Sequence, residues 1–248
     1  MAEMIFIGTS SGKTDAERFH SSLFLRTDNY GLLIDAGDGV SKALLNAGIG
    51  FDEIDGAIIT HTHADHLSGI AALITQMKIN RRQKKLDVFI YDEYKKRLSD
   101  FLNLSVLFPE TFSFEFNVEG FEFDEETKTG GDISFLARRN SHIANKRNLE
   151  TDFPFASASV RLNFGNTELV YTSDVGSAED LTLFDDTKYD FFISECEHIF
   201  PEDVKTFAGG KENVSFFVTH YTDAKETERA FADAKIKVAY DKLRIGLN

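Results

Sequence analysis

Three of the chain's seven histidines fall within the segment HTHADH, at residues 61–66. His61 and His63 alternate, so in an extended loop their side chains project the same way and can bind one metal ion. Asp65 and His66 follow at a turn and can reach a second ion on its other side. Because four donors packed so tightly cannot easily bind one ion, the segment predicts two metal ions roughly 3.5–4 Å apart.

Two metal ions need more ligands than this segment contains, and three isolated residues are available. Asp174 in YTSDVG and His220 in VTHYTD each follow a predicted strand, and His142 lies in a polar turn. Loops at strand ends are where rigid scaffolds usually hold sites. Nitrogen and oxygen donors suit Zn²⁺, with Mn²⁺ or Fe as alternatives, whereas hard ions such as Mg²⁺ prefer oxygen alone.

The donor series HTHADH, His142, YTSDVG and VTHYTD resembles the metal motifs of the metallo-β-lactamase superfamily. The opening IFIGTSSGKTDAERFHSS and the turn IDAGDG at residues 34–39 are similar to segments of ribonuclease Z and its phosphodiesterase relatives. The resemblance runs from about residue 4 to residue 221. It implies a four-layer αββα sandwich, an α/β (α+β) fold in which helices cover two packed sheets.

The resemblance also divides the seven donors between two ions. The residues it implies for the first ion are His61, His63 and His142. Those implied for the second ion are Asp65, His66 and His220, and Asp174 would bridge the two. Asp35, in the IDAGDG turn, would orient ligands by hydrogen bonding without binding metal itself.

The sequence departs from ribonuclease Z beyond residue 195. Glu195 in ISECEH resembles a glutamate of that family, but no histidine lies between His198 and His220, so the family's His-Ser pair is missing. No long Gly/Pro-rich insertion of the kind that clamps tRNA is present. The net charge of −14 also disfavours a surface that grips nucleic-acid phosphates. These features predict a small-molecule or short anionic substrate instead of a large nucleic acid.

The predicted function is metal-dependent hydrolysis of a phosphodiester through a metal-bridging hydroxide. Asp65, Glu195 and His198 are the predicted catalytic residues, and Tyr221 is a second possible proton donor to the leaving group. His198 has an alternative interpretation as an ordinary surface histidine. Hydrolysis of a carboxylic ester, thioester or lactone on the same metals stays open, as does a non-hydrolytic redox or sensor role.

Several other polar residues carry two interpretations each. The segment GTSSGKT at residues 8–14 is one residue short of a phosphate-binding P-loop, so it is interpreted as a connecting loop. His20 is interpreted as structural, with a ligand-orienting role as the alternative. The basic residues around His142 are either solvated charges or an anion-binding mouth. These residues are Arg138, Arg139, Lys146 and Arg147.

The elements that position these residues are read from apolar patterns. A short strand at residues 56–60 leads into HTHADH, and helical spacing follows over residues 67–79. Alternating phenylalanines predict a strand at residues 111–118, and further strands are predicted at residues 158–164, 168–172 and 213–219. Strands mixed with helices favour an α/β layered fold.

Length and composition limit the number of domains, the cellular location and the cysteine chemistry of the protein. The 248 residues contain no linker-like stretch, which predicts a single hydrolase domain over residues 1–248. No apolar run approaches a membrane span, and MAEMIFIGTS has an acid where a signal peptide carries basic residues, so we expect a cytoplasmic protein. The only cysteine, Cys196, excludes an internal disulfide and a four-thiolate zinc site. A homodimer is compatible with the sequence.

Overall fold

The apolar runs of the N-terminal half form strands that are buried almost throughout. The computed structural model describes residues 2–144 and 147–247. Because β3, β4 and β5 are covered on both faces, all their residues are buried, and all are apolar except Asp87 in β5. The strands of this half are β1 (Ala2–Gly8), β2 (Ser22–Arg26), β3 (Gly31–Ile34), β4 (Gly56–Ile58), β5 (Leu86–Tyr91) and β6 (Phe116–Phe121).

The C-terminal half supplies a second sheet and one strand for the first. Its strands are β7 (Glu126–Lys128), β8 (Ile133–Arg139), β9 (Ala158–Phe164), β10 (Thr167–Tyr171), β11 (Phe191–Glu195), β12 (Ser215–Thr219), β13 (Ile236–Val238) and β14 (Arg244–Leu247). The first sheet has the order β14-β1-β2-β3-β4-β5-β6, and the second has the order β13-β12-β11-β10-β9-β8-β7. β3 to β6 run parallel to one another, and so do β10 to β13.

The inner faces of the two sheets share one hydrophobic core. Phe6 of the first sheet meets Phe217 of the second at a ring-centroid distance of 5.8 Å. Phe135, on the inward face of β8, contacts Phe89 and Phe121 of the first sheet, both at 5.6 Å. These ring pairs fix how the sheets lie on each other, and so place their strand ends at a common edge.

Helices cover the outer face of each sheet, which confirms the predicted αββα sandwich. The helices are α1 (Val40–Asn46), α2 (Ala64–Leu67), α3 (Ile70–Ile79), α4 (Lys95–Leu104), α5 (Pro201–Ala208) and α6 (Ala224–Ala230). Apolar residues of α1, α3 and α4 join the main core. A second hydrophobic cluster lies between α5, α6 and the outer face of the second sheet.

Two element predictions need correction. The helix predicted at residues 67–79 is interrupted between α2 and α3, because Gly69 packs against the backbone of residues 36 and 37 and donates its N–H to the Ala36 carbonyl at 2.8 Å. The strand predicted at residues 111–118 is wrong over most of its length. Residues 112–115 do not form a strand, and the rings of Phe112 and Phe114 stack on each other. β6 begins only at Phe116.

No helix among the described residues is long and apolar enough to cross a membrane.

Candidate metal centre

The polar loops of the molecule converge on one edge of the sandwich. Asp35 follows β3, the HTHADH segment follows β4, and His142 follows β8. The loops after β10 and β12 carry Asp174 and His220. β3 and β4 run parallel in the first sheet, and β8, β10 and β12 run parallel in the second. The carboxyl ends of all five strands carry the polar residues that meet at this edge, where α/β sheets commonly place their sites.

The structure brings the seven predicted donors together in two groups. In each group, one potential ligand atom per residue lies within 4.8 Å of all the others. The first group contains His61, His63, His142 and Asp174, and the second contains Asp65, His66, Asp174 and His220. Asp174 belongs to both groups, which is the division that the sequence resemblance implied.

Asp174 is the centre of this arrangement. One of its oxygens lies 3.5 Å from His142 Nε2 and 3.3 Å from His220 Nε2. Its other oxygen lies 3.1 Å from His66 Nε2, without the geometry of a hydrogen bond. The carboxylate is only 2% exposed, so its charge faces the imidazoles instead of water.

The imidazoles of two donors are oriented through their second nitrogen. His66 Nδ1 lies 2.8 Å from Asp35 Oδ2, and His220 Nδ1 lies 2.6 Å from Ser21 Oγ. The Asp35 carboxylate also accepts hydrogen bonds from the backbone N–H and the hydroxyl of Thr60, next to His61. These contacts direct each Nε2 toward Asp174, which is how ligand-orienting partners act around metals.

The backbone of this edge adopts unusual conformations. Asp35, Ser173 and His220 have positive φ angles of 61°, 53° and 51°. The left-handed region is uncommon for residues other than glycine, and such residues cluster at functional sites because the surrounding structure holds them there. At Ser173 and His220 this conformation turns the chain sharply after a buried strand.

The donor chemistry of these residues fits divalent metal ions. His61 Nε2, His66 Nε2 and Asp174 Oδ1 are buried and have no hydrogen-bond partner among the described residues. Burial lowers the pKa of His61 well below its ordinary value and that of His142 to about 4, which favours the neutral, metal-binding imidazole. Buried polar atoms without partners are costly, so their convergence fits a site that binds a cation.

The pKa shifts of the second donor group also favour a positive charge at this position. Burial acts to lower the pKa of His66, but Asp174 and Asp35 outweigh it and hold that pKa well above its ordinary value. Burial acts to raise the pKa of Asp174, but His66 and His220 hold it well below the ordinary value. The carboxylates therefore favour a positive charge here, whether a proton or a metal ion carries it.

Glu195 and His198 form a hydrogen-bonded pair beside the donors. Glu195 is 1% exposed, and it accepts the backbone N–H groups of Val175, Glu197 and His198. His198 Nδ1 lies 3.1 Å from the Glu195 carboxylate and 3.9 Å from Asp174 Oδ2. This hydrogen bond with Glu195 raises the pKa of His198.

Asp180 is a buried carboxylate that the sequence analysis missed. It accepts hydrogen bonds from Ser141, one residue before His142, and from the backbone N–H groups of Gly176 and Ser177. It thereby ties the loop of His142 to the loop of Asp174. The S-x-x-D pattern at residues 177–180, typical of a capping box, was the signal available in the sequence.

Lys13 lies beside the donors, although the sequence analysis interpreted its loop only as a connection. The GTSSGKT loop follows β1, and Ser11, Gly12 and Lys13 line a cleft of about 390 Å³ together with His63, Asp65, Asp174, His198 and His220. At Gly12 a Cβ would lie 3.2 Å from Asp65 Oδ2, so the loop passes close to the donors. The near-match to a P-loop therefore forms one wall of the metal centre.

The structure corrects the anion-binding mouth proposed around His142. Arg138 pairs with Asp186 and lies over Phe184. Arg139 lies over the rings of Tyr91 and Phe123. Both guanidiniums are therefore engaged away from the cleft. Lys146 lies outside the described residues, and Arg147 is not among the residues that line the cleft.

The structure also bears on the alternative roles considered for Tyr221 and His20. Tyr221 is 2% exposed and donates its hydroxyl to the Ala239 carbonyl at 2.5 Å, so it does not face the cleft as a proton donor. His20 Nδ1 lies 2.8 Å from the Ser11 carbonyl, which supports its structural interpretation.

Comparison with known proteins agrees with this geometry. The metallo-β-lactamase fold protein YhfI from Bacillus subtilis superposes with a TM-score of 0.78 at 19% identity, covering 99% of this chain and 100% of that one. Anti-Pycsar protein Apyc1 of Bacillus phage vB_BsuM-Goe3 is 24% identical over 250 residues, which is 90% of each chain. Ribonuclease Z of Natronomonas pharaonis is 30% identical over 139 residues, or 56% of this chain and 44% of that protein.

Fold and site together define a metal-dependent hydrolase of the metallo-β-lactamase superfamily, in the branch of ribonuclease Z and phosphodiesterases. Within that branch, the family model described as Anti-Pycsar protein Apyc1 matches residues 2–234. The chain belongs to this family.

The two donor groups predict a metal stoichiometry that single substitutions change in a defined way. We expect two divalent ions per chain in the wild type, measured by elemental analysis after dialysis against Zn²⁺ or Mn²⁺. His142→Ala removes a donor of the first group only and should leave one tightly bound ion, while Asp174→Ala should weaken both sites. His20→Ala is the matched control and should keep two. Two tightly bound ions in His142→Ala would contradict the assignment.

Asp180 ties the loop of His142 to the loop of Asp174, and we call this contact the Asp180 clamp. Removing Asp180 should therefore destabilise the protein more than removing the nearby surface residue Asp186. Asp180→Ala leaves buried N–H groups unsatisfied, so the free energy of unfolding of the metal-free protein should fall by about 1–3 kcal/mol. Asp186→Ala removes only an exposed partner of Arg138 and should lower the free energy of unfolding clearly less than Asp180→Ala does. Urea denaturation of both variants measures the difference, and equal losses would argue against the clamp.

Proposed function

We propose that the chain hydrolyses a phosphodiester by means of two divalent ions, Zn²⁺ in preference to Mn²⁺ or Fe. The first ion would be held by His61, His63, His142 and Asp174. The second ion would be held by Asp65, His66, His220 and Asp174. Zinc is favoured because imidazole nitrogens outnumber carboxylates in the first group, and nitrogen ligands suit zinc better than hard cations.

When bound, a pair of divalent ions supplies an activated water near neutral pH and offsets negative charge on the substrate's oxygens. The chain's own residues supply the remaining steps. Asp65 is partly exposed at the cleft wall. There it would accept a hydrogen bond from the attacking water and so orient it. Asp174 keeps the donor groups at a fixed separation.

The observation that carries the proposal is the position of His198. Its Nδ1 is bonded to Glu195, so the opposite edge of the imidazole, Nε2, is free to donate a proton into the cleft. The ring lies 4.6 Å from His142 and 5.8 Å from His220, between the two donor groups. Proton donation by a positioned imidazole to an oxygen leaving group is general acid catalysis. Glu195 is a positioning residue for it.

This pair also accounts for the departure from ribonuclease Z. The missing His-Ser pair would have left Glu195 without a histidine partner. Instead, the ISECEH turn supplies one only three residues further along the chain. We infer that His198 takes over the role of the missing histidine, so the departure does not argue against phosphodiester chemistry.

The charge at the mouth of the cleft supports an anionic substrate of limited size. Lys13 is an exposed cation at the rim, suited to a phosphate oxygen. The remainder of the protein is strongly acidic, with a net charge of −14, which disfavours long nucleic acids. A phosphodiester with compact ester groups satisfies both conditions.

A direct assay separates the candidate reactions. With Zn²⁺ or Mn²⁺ present, we expect hydrolysis of bis-p-nitrophenyl phosphate and much slower hydrolysis of p-nitrophenyl acetate, followed by release of p-nitrophenolate. Asp174→Ala should lower phosphodiester kcat/KM by at least about 100-fold, since both donor groups lose a member. Cleavage of the acetate alone would favour an ester hydrolase. Metal binding without hydrolysis of either substrate would favour the redox or sensor role.

The role of His198 predicts a dependence on the leaving group. His198→Ala should reduce kcat by about 100-fold or more for a phosphodiester that releases a basic alkoxide, because proton donation is then needed. The reduction should be small when p-nitrophenolate leaves, since this weak base departs without protonation. His20→Ala is the control and should show no such difference. Equal effects of His198→Ala on both substrates would remove His198 as the acid.

A further inference from the structure

A second cleft, of about 430 Å³, opens beside the metal centre. We call it the ring cleft, because four of its lining side chains are aromatic: Tyr94, Phe101, Phe153 and Phe155. Leu67 and Leu98 contribute aliphatic surface between them. The catalytic steps proposed above use none of these six side chains.

The ring cleft is continuous with the metal centre through His63. That residue lines both clefts, and its Nδ1 lies 3.1 Å from His142 Nε2 in the first donor group. Ile143, directly after His142, forms part of the ring cleft's wall. A group in the ring cleft is therefore adjacent to a substrate at the donors.

The lining of the ring cleft excludes a charged occupant. No carboxylate lines it within the described part of the chain. Among the described residues that line it, Arg97 is the only Lys or Arg, and this guanidinium is paired with Asp152 at 2.8 Å at the rim. The Tyr94 hydroxyl is buried and exchanges hydrogen bonds with the backbone of Ala156. A charged group entering here would lose hydration without gaining a partner.

The aromatic side chains are arranged as a wall for a planar group. Phe153 contacts Phe155 edge to face at 5.1 Å and Tyr94 at 5.3 Å. Phe155 has a positive φ of 45°, which is rare for an aromatic residue and shows that its neighbours hold this conformation. Rings pair favourably with further rings in offset or edge-to-face contact, beyond the area that they bury.

We propose that the ring cleft receives an uncharged planar ring carried by the ester group that the phosphodiester retains on cleavage. The inference rests on the proposed function and adds a substrate class to it, namely a phosphodiester with an aromatic substituent. His63 lies at the junction, so the ring and the scissile phosphate occupy neighbouring clefts.

The test compares two substrates with one leaving group. Phenyl p-nitrophenyl phosphate and methyl p-nitrophenyl phosphate carry the same charge and the same leaving group, and only the phenyl ester has a ring on the ester group that is retained. In the wild type with Zn²⁺ or Mn²⁺, kcat/KM should be roughly 10–100-fold higher for the phenyl ester, mainly through KM, as burial of a ring implies.

Variants of the cleft wall should lower this phenyl-to-methyl ratio. We expect about a tenfold fall in the ratio for Phe153→Ala, and a similar fall for Phe101→Ala on α4, in case either variant folds poorly. Phe108→Ala is the matched control, because Phe108 is 41% exposed and lies outside the ring cleft. A ratio near 1 in the wild type, or one unchanged in both folded wall variants, would overturn the proposal.

A binding measurement keeps this result separate from the proposed function. Calorimetry of phenylphosphonate against methylphosphonate, with metal-loaded protein, reports the ring cleft without any reaction. If no phosphodiester is cleaved but phenylphosphonate binds at least about tenfold more tightly, and loses that advantage in Phe153→Ala, the ring cleft stands and the proposed reaction fails. Equal binding of both phosphonates would contradict the ring-cleft proposal and would not bear on the proposed phosphodiester hydrolysis.

Discussion

A single buried carboxylate holds the polar edge of this molecule together. Asp174 faces His142 and His220 with one oxygen and His66 with the other, while it is almost entirely removed from water. An isolated charge in such a position would be very unfavourable, so the imidazoles around it and the cations that they can bind are a requirement of the fold. The loops after five different strands are arranged around that requirement, and Asp180, Asp35 and Ser21 hold them there.

The donor set was predictable from the sequence because it is local in character. HTHADH concentrates four donors in six residues, and Asp174 and His220 each follow a buried strand directly. In β9, apolar residues alternate with Arg161 and Asn163 in a strand pattern, and residues 158–164 were predicted with the observed bounds. Patterns of this kind involve residues that are close together in the sequence, so they can be recognised from one sequence without a structure.

Other parts of the site depend on contacts between distant segments, which no local pattern reveals. Arg138 and Arg139 flank a donor in sequence, but Asp186 and the rings of Phe184, Tyr91 and Phe123 draw them away. Lys13 was set aside with its loop, although the strand direction of β1 delivers that loop to the donors. The break at Gly69 arises from its close packing against Gly37, and only the folded arrangement contains that contact.

The spread of the donors along the chain has a consequence for the order in which the centre can assemble. The first donor group is complete in sequence at Asp174, whereas the second also needs His220, 46 residues later and after β12. During synthesis, a growing chain therefore contains all donors of the first group before the last donor of the second group. Assembly of the second group is coupled to the docking of β11 and β12 beside β10 in the second sheet.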